Sequence, residues 1–523
     1  MKVSRRLQIV GLFIFSILVL SMAFGVSAQD DEDRTFTIAL GISVRDLEPT
    51  TMTGLVANMM DYVIQPLVMT NADGDFLPGL AESWDISEDG RTVTFNLRQG
   101  VTFHDGTPFN ADAMAFSLNR WFDENVRAPN PFNNQLMASI DVIDENTIAV
   151  TSEFSAQLLL ANFVFTGYSA ISPDSVDNFG NVSGEGGSYI NPIGTGPYVL
   201  SDLSPEGMTL TRYEDYWGEA PYYDTVEFLF VPEAATRESL LLAGQADMAL
   251  LPPVSDLPDL EANEDVQVLI APSGRVVYAA INTQDVDGIF TDVRVRQALN
   301  YAVDSAAIAD SLLYGAATPL TSPVAAQNFG HCDVGGYDYD PDRARELLDE
   351  AGVGEITINF SSPTGRFLQD FQVAEAIGLY LGQVGITAEP TTSDYGAYVG
   401  SLFVPAEAQT LDLHILGFAP PAADAALGMF FINHASQASP RGLNTAYYNN
   451  EEASALIDQA FREIDPDVRA DLLCQAQTII WNDAPWIYLH EQLFPIVYRT
   501  GIEGVTYRVG EKFDTIYAYP SGE

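Results

Sequence analysis

His490 and Glu491 open a zinc-protease pattern, but Phe494 stands where the second histidine belongs, so no metal-binding helix face results. The other histidines, His104, His331, His414 and His434, fall at no metal-ligand spacing. The chain carries no G-x-S-x-G elbow, no phosphate loop ending in Gly-Lys and no C-x-x-C pair. Asn71, Asp73 and Asp75 alternate around Gly74 in a manner that suggests calcium, but the segment is too short for a full calcium loop and reads as a solvated turn. With 72 Asp and Glu in the chain, pairs of carboxylates arise by chance and point to no acid–base chemistry. The expectation is binding without catalysis, with no catalytic residue, no metal and no cofactor. Cys332 and Cys474 are the only cysteines. In an oxidising compartment they could form a disulfide, but spacing leaves a bridge and two free thiols equally open.

The charge balance narrows the partners. The 523 residues hold 72 acidic groups against 23 basic ones, a formal charge of −49. Such a surface repels nucleic acid and anionic lipid. Hydrophobic residues make up 47% of the chain, enough for buried cores and against intrinsic disorder, and the length calls for two or three lobes. The first 28 residues have the three parts of a secretory signal: Lys2, Arg5 and Arg6, an apolar run from Leu7 to Phe24, and the small residues Val26-Ser27-Ala28. An uncleaved anchor is the alternative, since the apolar run is almost long enough to span a bilayer. Arg5-Arg6 hints at twin-arginine export, but Gln8 and the very apolar core favour the general secretory route. No cysteine lies near the cleavage site to carry a lipid. The mature protein is expected in the periplasm or outside the cell. Cleavage leaves 20 basic against 72 acidic residues, a charge of −52, with Lys512 as the one lysine. An acid-rich, lysine-poor surface suits salty surroundings, where the Debye length is about 8 Å or less.

Several elements are legible. Thr35 to Leu40, Thr92 to Arg98, Thr147 to Thr151, Met208 to Tyr213, Val226 to Val231 and Ile356 to Phe360 read as strands. Asp89-Gly90 marks the turn before Thr92. Asn110 caps a helix running to Phe122, and Thr291 one from Asp292 to Val303. Asp340-Pro341 and Asp465-Pro466 each place a cap before a proline at the first helical position. Glycines 184, 186 and 187 read as a flexible turn. Pro252-Pro253 and residues 191–197 mark crossings between lobes, and residues 418–428 form a loop of small side chains. Strands and helices interleave without a repeat, which gives an α/β or α+β chain.

Residues 77–121, LPGLAESWDISEDGRTVTFNLRQGVTFHDGTPFNADAMAFSLNRW, carry a resemblance. They resemble the diagnostic segment of the peptide/nickel-type (family 5) extracytoplasmic solute-binding proteins of ABC transporters. Matches in order follow at Gly194 to Tyr198, Tyr213 to Trp217, Glu238 to Asp247, Asp292 to Ala298, Tyr339 to Gly352, Tyr448 to Ile457 and Asp483 to Leu489. The resemblance covers nearly the whole mature chain. It implies an α/β, three-lobed periplasmic-binding-protein fold of class II type. Lobe I would comprise 35–76, 190–275 and 495–523, lobe II 77–189, and lobe III 276–494. Solute would be enclosed between lobes I and III by hinge closure. The implied partners are a small peptide or peptide-like solute and an ABC permease with its ATPase. The protein would be monomeric and meet the membrane only through the permease.

The resemblance also directs attention to particular residues. Peptide-binding members hold the solute's amino terminus with an Asp after a Gly-Trp pair. Here the segment is Gly417-Phe418-Ala419-Pro420-Pro421, and Pro421 takes that place. Asp424, three residues on, is the substitute candidate. Arg366, in Ser361 to Phe367, matches the region where relatives hold a solute carboxylate, which a guanidinium meets with two parallel hydrogen bonds. Phe418, Tyr395, Tyr398 and Met52 are expected as apolar walls, while Trp84 is expected to pack structurally. The pattern resembles the branch that includes glutathione and other modified-peptide binders. A nickel chelate, opine or oligosaccharide is the alternative solute, and a secreted hydrolase or a surface chaperone or sensor the alternative class.

Overall fold

The computed structural model describes residues 34–522 except 43, 45–46, 53, 72–73, 125, 127–130, 178–191, 285–287, 394 and 509. The leader, the glycines at 184–187 and Asp73 lie outside the described residues, as does the Tyr395 side chain. Among the described residues no helix is long and apolar enough to cross a membrane.

One mixed sheet of 11 strands organises the chain. Two long antiparallel strands, Val266–Ile281 and Trp486–Arg499, form its centre. On one side Met248–Leu250, Thr35–Leu40, Thr225–Phe230, Gly207–Arg212 and Tyr198–Leu203 follow in order. On the other lie Leu413–Phe418, Phe360–Ser362 and Pro390–Thr392, parallel to one another. Ala317–Pro319 pairs on Trp486–Arg499 off this path. A separate antiparallel sheet contains Ala81–Ile86, Thr92–Leu97, Thr147–Thr151 and Ser139–Asp144.

Local chemistry explains these elements. In Thr92–Leu97 the residues Val93, Phe95 and Leu97 are buried while Thr92, Thr94 and Asn96 are half-buried, the period-2 pattern of a half-buried strand. Each such apolar side chain contributes roughly 1.5–3 kcal/mol when fully buried. Gly90 closes the preceding turn with φ of +65°. Asp340 caps Pro341–Glu350, and Asp465 caps Pro466–Asp483, each by accepting backbone N–H bonds in its first turn. Helix Val293–Ala302 is capped by Asp292, whose side chain accepts from Arg294 N, and not by Thr291. The strand expected from Ile356 to Phe360 is two pieces, Ile356–Thr357 and Phe360–Ser362, in different sheets.

The cores do not simply mirror three lobes. One packs the Thr35–Leu40 side of the large sheet with Met59, Tyr62 and the C-terminal residues Phe513 and Ile516. A second lies under Val295, Leu299 and Ile377. The third runs continuously from the four-stranded sheet into helices Ala425–Asn433 and Glu451–Arg462. There Phe132 and Phe154 meet Phe430, Phe431 and Phe461 at ring-centroid separations of 5.0–6.0 Å. Ser155 N donates to Phe461 O at 2.8 Å and Arg91 Nη2 to Arg462 O at 2.7 Å. We propose the three lobes drawn from the sequence as the moving units, with this aromatic seam between lobes II and III.

Candidate ligand cleft

The two long central strands change neighbours partway along their length. Before Pro272, strand Val266–Ile281 pairs with the part of Trp486–Arg499 that borders Met248–Leu250. From Val276 onward it pairs also with Leu413–Phe418. The register breaks between Pro272 and Arg275. Gly274 has φ of +72°, a value that glycine adopts at little cost. Ser273 Oγ donates to Gln492 O across the break. This irregularity is where the sheet can bend.

Charged groups gather beside it. Arg275 is the first residue beyond the break. Its Nε and Nη2 donate to Glu511 Oε1 and Oε2, both at 2.7 Å. Its Nη1 donates to Gly417 O at 3.4 Å. Burial would push the Glu511 carboxyl up, but the bidentate Arg275 and the nearby Arg366 charge outweigh it and hold the group below the usual carboxylate range. Phe367 sits under both cations, 5.9 Å from the Arg275 guanidinium and 5.1 Å from that of Arg366. Leu368 packs towards Val254 and Leu257, so the two sides touch.

Arg366 is exposed, on a loop that is firmly held. Buried Asp370 accepts backbone N–H bonds from Gly365, Arg366 and Phe367 at 2.9, 2.9 and 3.1 Å. Leu368 N donates to Gln492 Oε1 at 3.1 Å, tying the loop to the central strand. Phe418 is half-buried, opposite Val276, with its ring 5.9 Å from Phe431. Arg366 and Phe418 thus both lie at the carboxyl ends of parallel strands, where crevices of open α/β sheets take ligands. A cavity of about 480 Å³ lined by Asn359, Thr387, Glu389 and Thr410 lies at the opposite ends of the same strands.

Three expected contacts are placed elsewhere. Asp424 is buried and paired with Arg469, Nη1 to Oδ2 at 2.8 Å and Nη2 to Oδ1 at 2.9 Å. It also caps helix Ala425–Asn433 by accepting from Ala426 N at 2.9 Å. A carboxylate so engaged has no oxygen turned towards a solute amine. Tyr398 is buried and donates its hydroxyl to Ile415 O. Met52 belongs to the core under the Thr35–Leu40 side of the large sheet. Tyr395 begins helix Tyr395–Leu402. Trp84 packs at the edge of the core joining lobes II and III. Arg275 and Glu511 were not foreseen: they are 236 residues apart, and no local pattern links them.

In the structure Cys332 and Cys474 are paired as a disulfide that ties the loop before Gly335 to helix Pro466–Asp483. Among the described residues, no group of three or more His, Cys, Asp or Glu could hold a metal ion.

The profile of the bacterial extracellular solute-binding proteins, family 5, matches residues 75–440. Heme-binding protein A of Haemophilus influenzae is 31% identical over 477 residues, covering 85% of this chain and 83% of its own. The glutathione-binding protein GsiB of Escherichia coli K12 is 31% identical over 498 residues, covering 92% and 93%. The periplasmic binding protein DppA of Helicobacter pylori, solved with peptide STSA, superposes with a TM-score of 0.79 at 25% identity, covering 93% and 98%. Relatives of this class are non-enzymatic components of ABC transporters, in agreement with a chain that shows no catalytic motif. A mixed α/β sheet and a match over most of the sequence together place this chain among the bacterial extracellular solute-binding proteins of family 5.

Proposed function

We propose that the chain is the receptor of an ABC importer for peptides or peptide-like solutes, exported by its leader and acting outside the cytoplasm as a monomer. It would enclose solute between lobes I and III and hand it to a membrane permease driven by an ATPase. The observation that carries this reading is Arg366. An arginine on a loop pinned by Asp370, at a crevice between two halves of a hinged sheet, suits a solute carboxylate. The peptide-bound DppA and the glutathione-binding GsiB support the same class of solute. Phe418 and Tyr395 are proposed as apolar walls. Asp424, Tyr398 and Met52 are assigned structural roles, because each is buried within a lobe.

One observation favours a modified peptide over an ordinary one. Pro421 replaces the amine-binding Asp, and Asp424 is held by Arg469. A solute whose amine is held elsewhere, as in a glutathione-like conjugate, fits better. The test is mass spectrometry of whatever co-purifies with the mature protein. Release of a peptide or peptide conjugate is expected, and release of an oligosaccharide would overturn the reading.

A further inference from the structure

The C-terminal hairpin of lobe I pairs Thr506–Arg508 with Lys512–Asp514, and Gly510 and Glu511 lie in the link between them. Their φ values are +95° and +61°. Glycine or asparagine is the usual occupant of such a left-handed position, and a glutamate there carries a backbone cost. A residue that breaks the local rule points to a contact outside the turn. Here the carboxylate reaches across the hinge to Arg275, with two bonds of 2.7 Å. The shaft of the hairpin is firmly rooted. Arg508 Nη2 and Lys512 Nζ donate to Asp61 Oδ2 at 2.8 and 3.1 Å, and Asn58 Nδ2 donates to Phe513 O at 2.9 Å. Lobe I therefore presents Glu511 on a rigid arm. The boundary drawn from the sequence makes Arg275 the last residue of lobe I. It lies beyond the register break, however, where it faces Gln492 and donates to Gly417 O. The boundary between the moving units is therefore drawn at the break, and Arg275 goes with lobe III.

We infer that Glu511 and Arg275 form an interlobe clasp that sets how far the cleft is closed before solute arrives. This rests on hinge closure as the mode of solute capture. Both groups are largely buried with the lobes together. Opening must separate a bidentate pair and return both charges to water. The pair sits against Phe367, next to the loop of Arg366, so the same contact holds the solute-facing arginine near its closed position. Glu511 is thus a positioning residue: it acts on the solute through the closed state.

The test uses the mature protein, stripped of solute by unfolding and refolding, and reads its radius of gyration by small-angle X-ray scattering. Glu511→Gln should lower the closed-to-open ratio at least tenfold, seen as expansion relative to wild type. Glu511→Gly, which relieves the turn while removing the carboxylate, should expand equally. The exchange Arg275→Glu with Glu511→Arg should restore compaction, and Arg34→Gln, which breaks an ion pair with Asp224 on the far side of lobe I, should leave the shape unchanged. Stripped wild type that is already as open as Glu511→Gln, or variants as compact as wild type, would overturn the clasp. Solute affinity is measured separately. Expansion of the Glu511 variants in a protein that takes no peptide-like solute would leave the clasp standing and remove the proposed function.

Discussion

Replacing Asp424 separates a structural role from a solute-binding one. Its carboxylate and the Arg469 guanidinium are 2% and 1% exposed, and they share two hydrogen bonds. Asp424→Asn keeps an oxygen for Ala426 N but leaves a buried, uncompensated guanidinium whose remaining anchor is the Nε bond to Ala460 O at 2.8 Å. Breaking one side of such a pair costs about 3–5 kcal/mol. Loss of the helix cap in Asp424→Ala adds about 1 kcal/mol, though terms at one site do not simply sum. For a cooperative unit of roughly 150–250 residues, each kcal/mol lowers the melting temperature by about 2–4 °C. A fall near 10 °C is therefore expected for Asp424→Asn, read by thermal denaturation in buffered molar salt. The double variant Asp424→Leu with Arg469→Met should recover much of it, since apolar side chains of similar volume avoid the desolvation cost. Below its melting transition, Asp424→Asn should bind solute within a few-fold of wild type. A variant as stable as wild type that has lost binding would refute the structural assignment and return Asp424 to the solute's amine.

Other outcomes follow from the same structure. Arg366→Ala should weaken solute binding at least tenfold by calorimetry, about 1.4 kcal/mol; unchanged affinity would remove Arg366 from the site. Burial pushes both His414 and His490 down to about 3. Their folded values lie below the unfolded one, so the stability they contribute is full above pH 6.5 and declines as pH falls towards 3. In molar salt the slope should approach about 1.4 kcal/mol per pH unit for each histidine, and a flat profile from pH 6.5 to 4.5 would contradict it. With a mature charge of −52, the melting temperature should rise from low to molar salt. A constant value would end the reading of the acidic surface as an adaptation to salt.

What the sequence made legible was local. Asp340-Pro341 and Asp465-Pro466 announce helices because a cap and a fixed φ act within one turn. Val93, Phe95 and Leu97 announce a strand because burial alternates with the pleat. The family followed from motifs that are mostly scaffold, such as the Asp105-Gly106 turn and the Asn110 cap. Of the proposed cleft, the sequence singled out only Arg366 and Phe418, where a family motif runs through the crevice proposed to hold solute. The long strands Val266–Ile281 and Trp486–Arg499 escaped notice because they are buried on both faces and alternate poorly. The pairing of Asp424 with Arg469 was not legible, because Arg469 lies 45 residues away on another helix and pairing at that range leaves no pattern in sequence. Glu511 and Arg275 meet by the same kind of long-range closure. The seam of Phe132, Phe154, Phe430 and Phe461 was likewise hidden, since each ring reads as ordinary core.

Solute capture without turnover is the central claim, and mass spectrometry of the mature protein tests it most directly. Native spectra of protein purified without denaturant should show a second, heavier species. Denaturation should release an unaltered peptide or peptide conjugate whose carboxylate accounts for the need for Arg366. Release of a sugar, or conversion of the added compound into a product on incubation, would contradict the account.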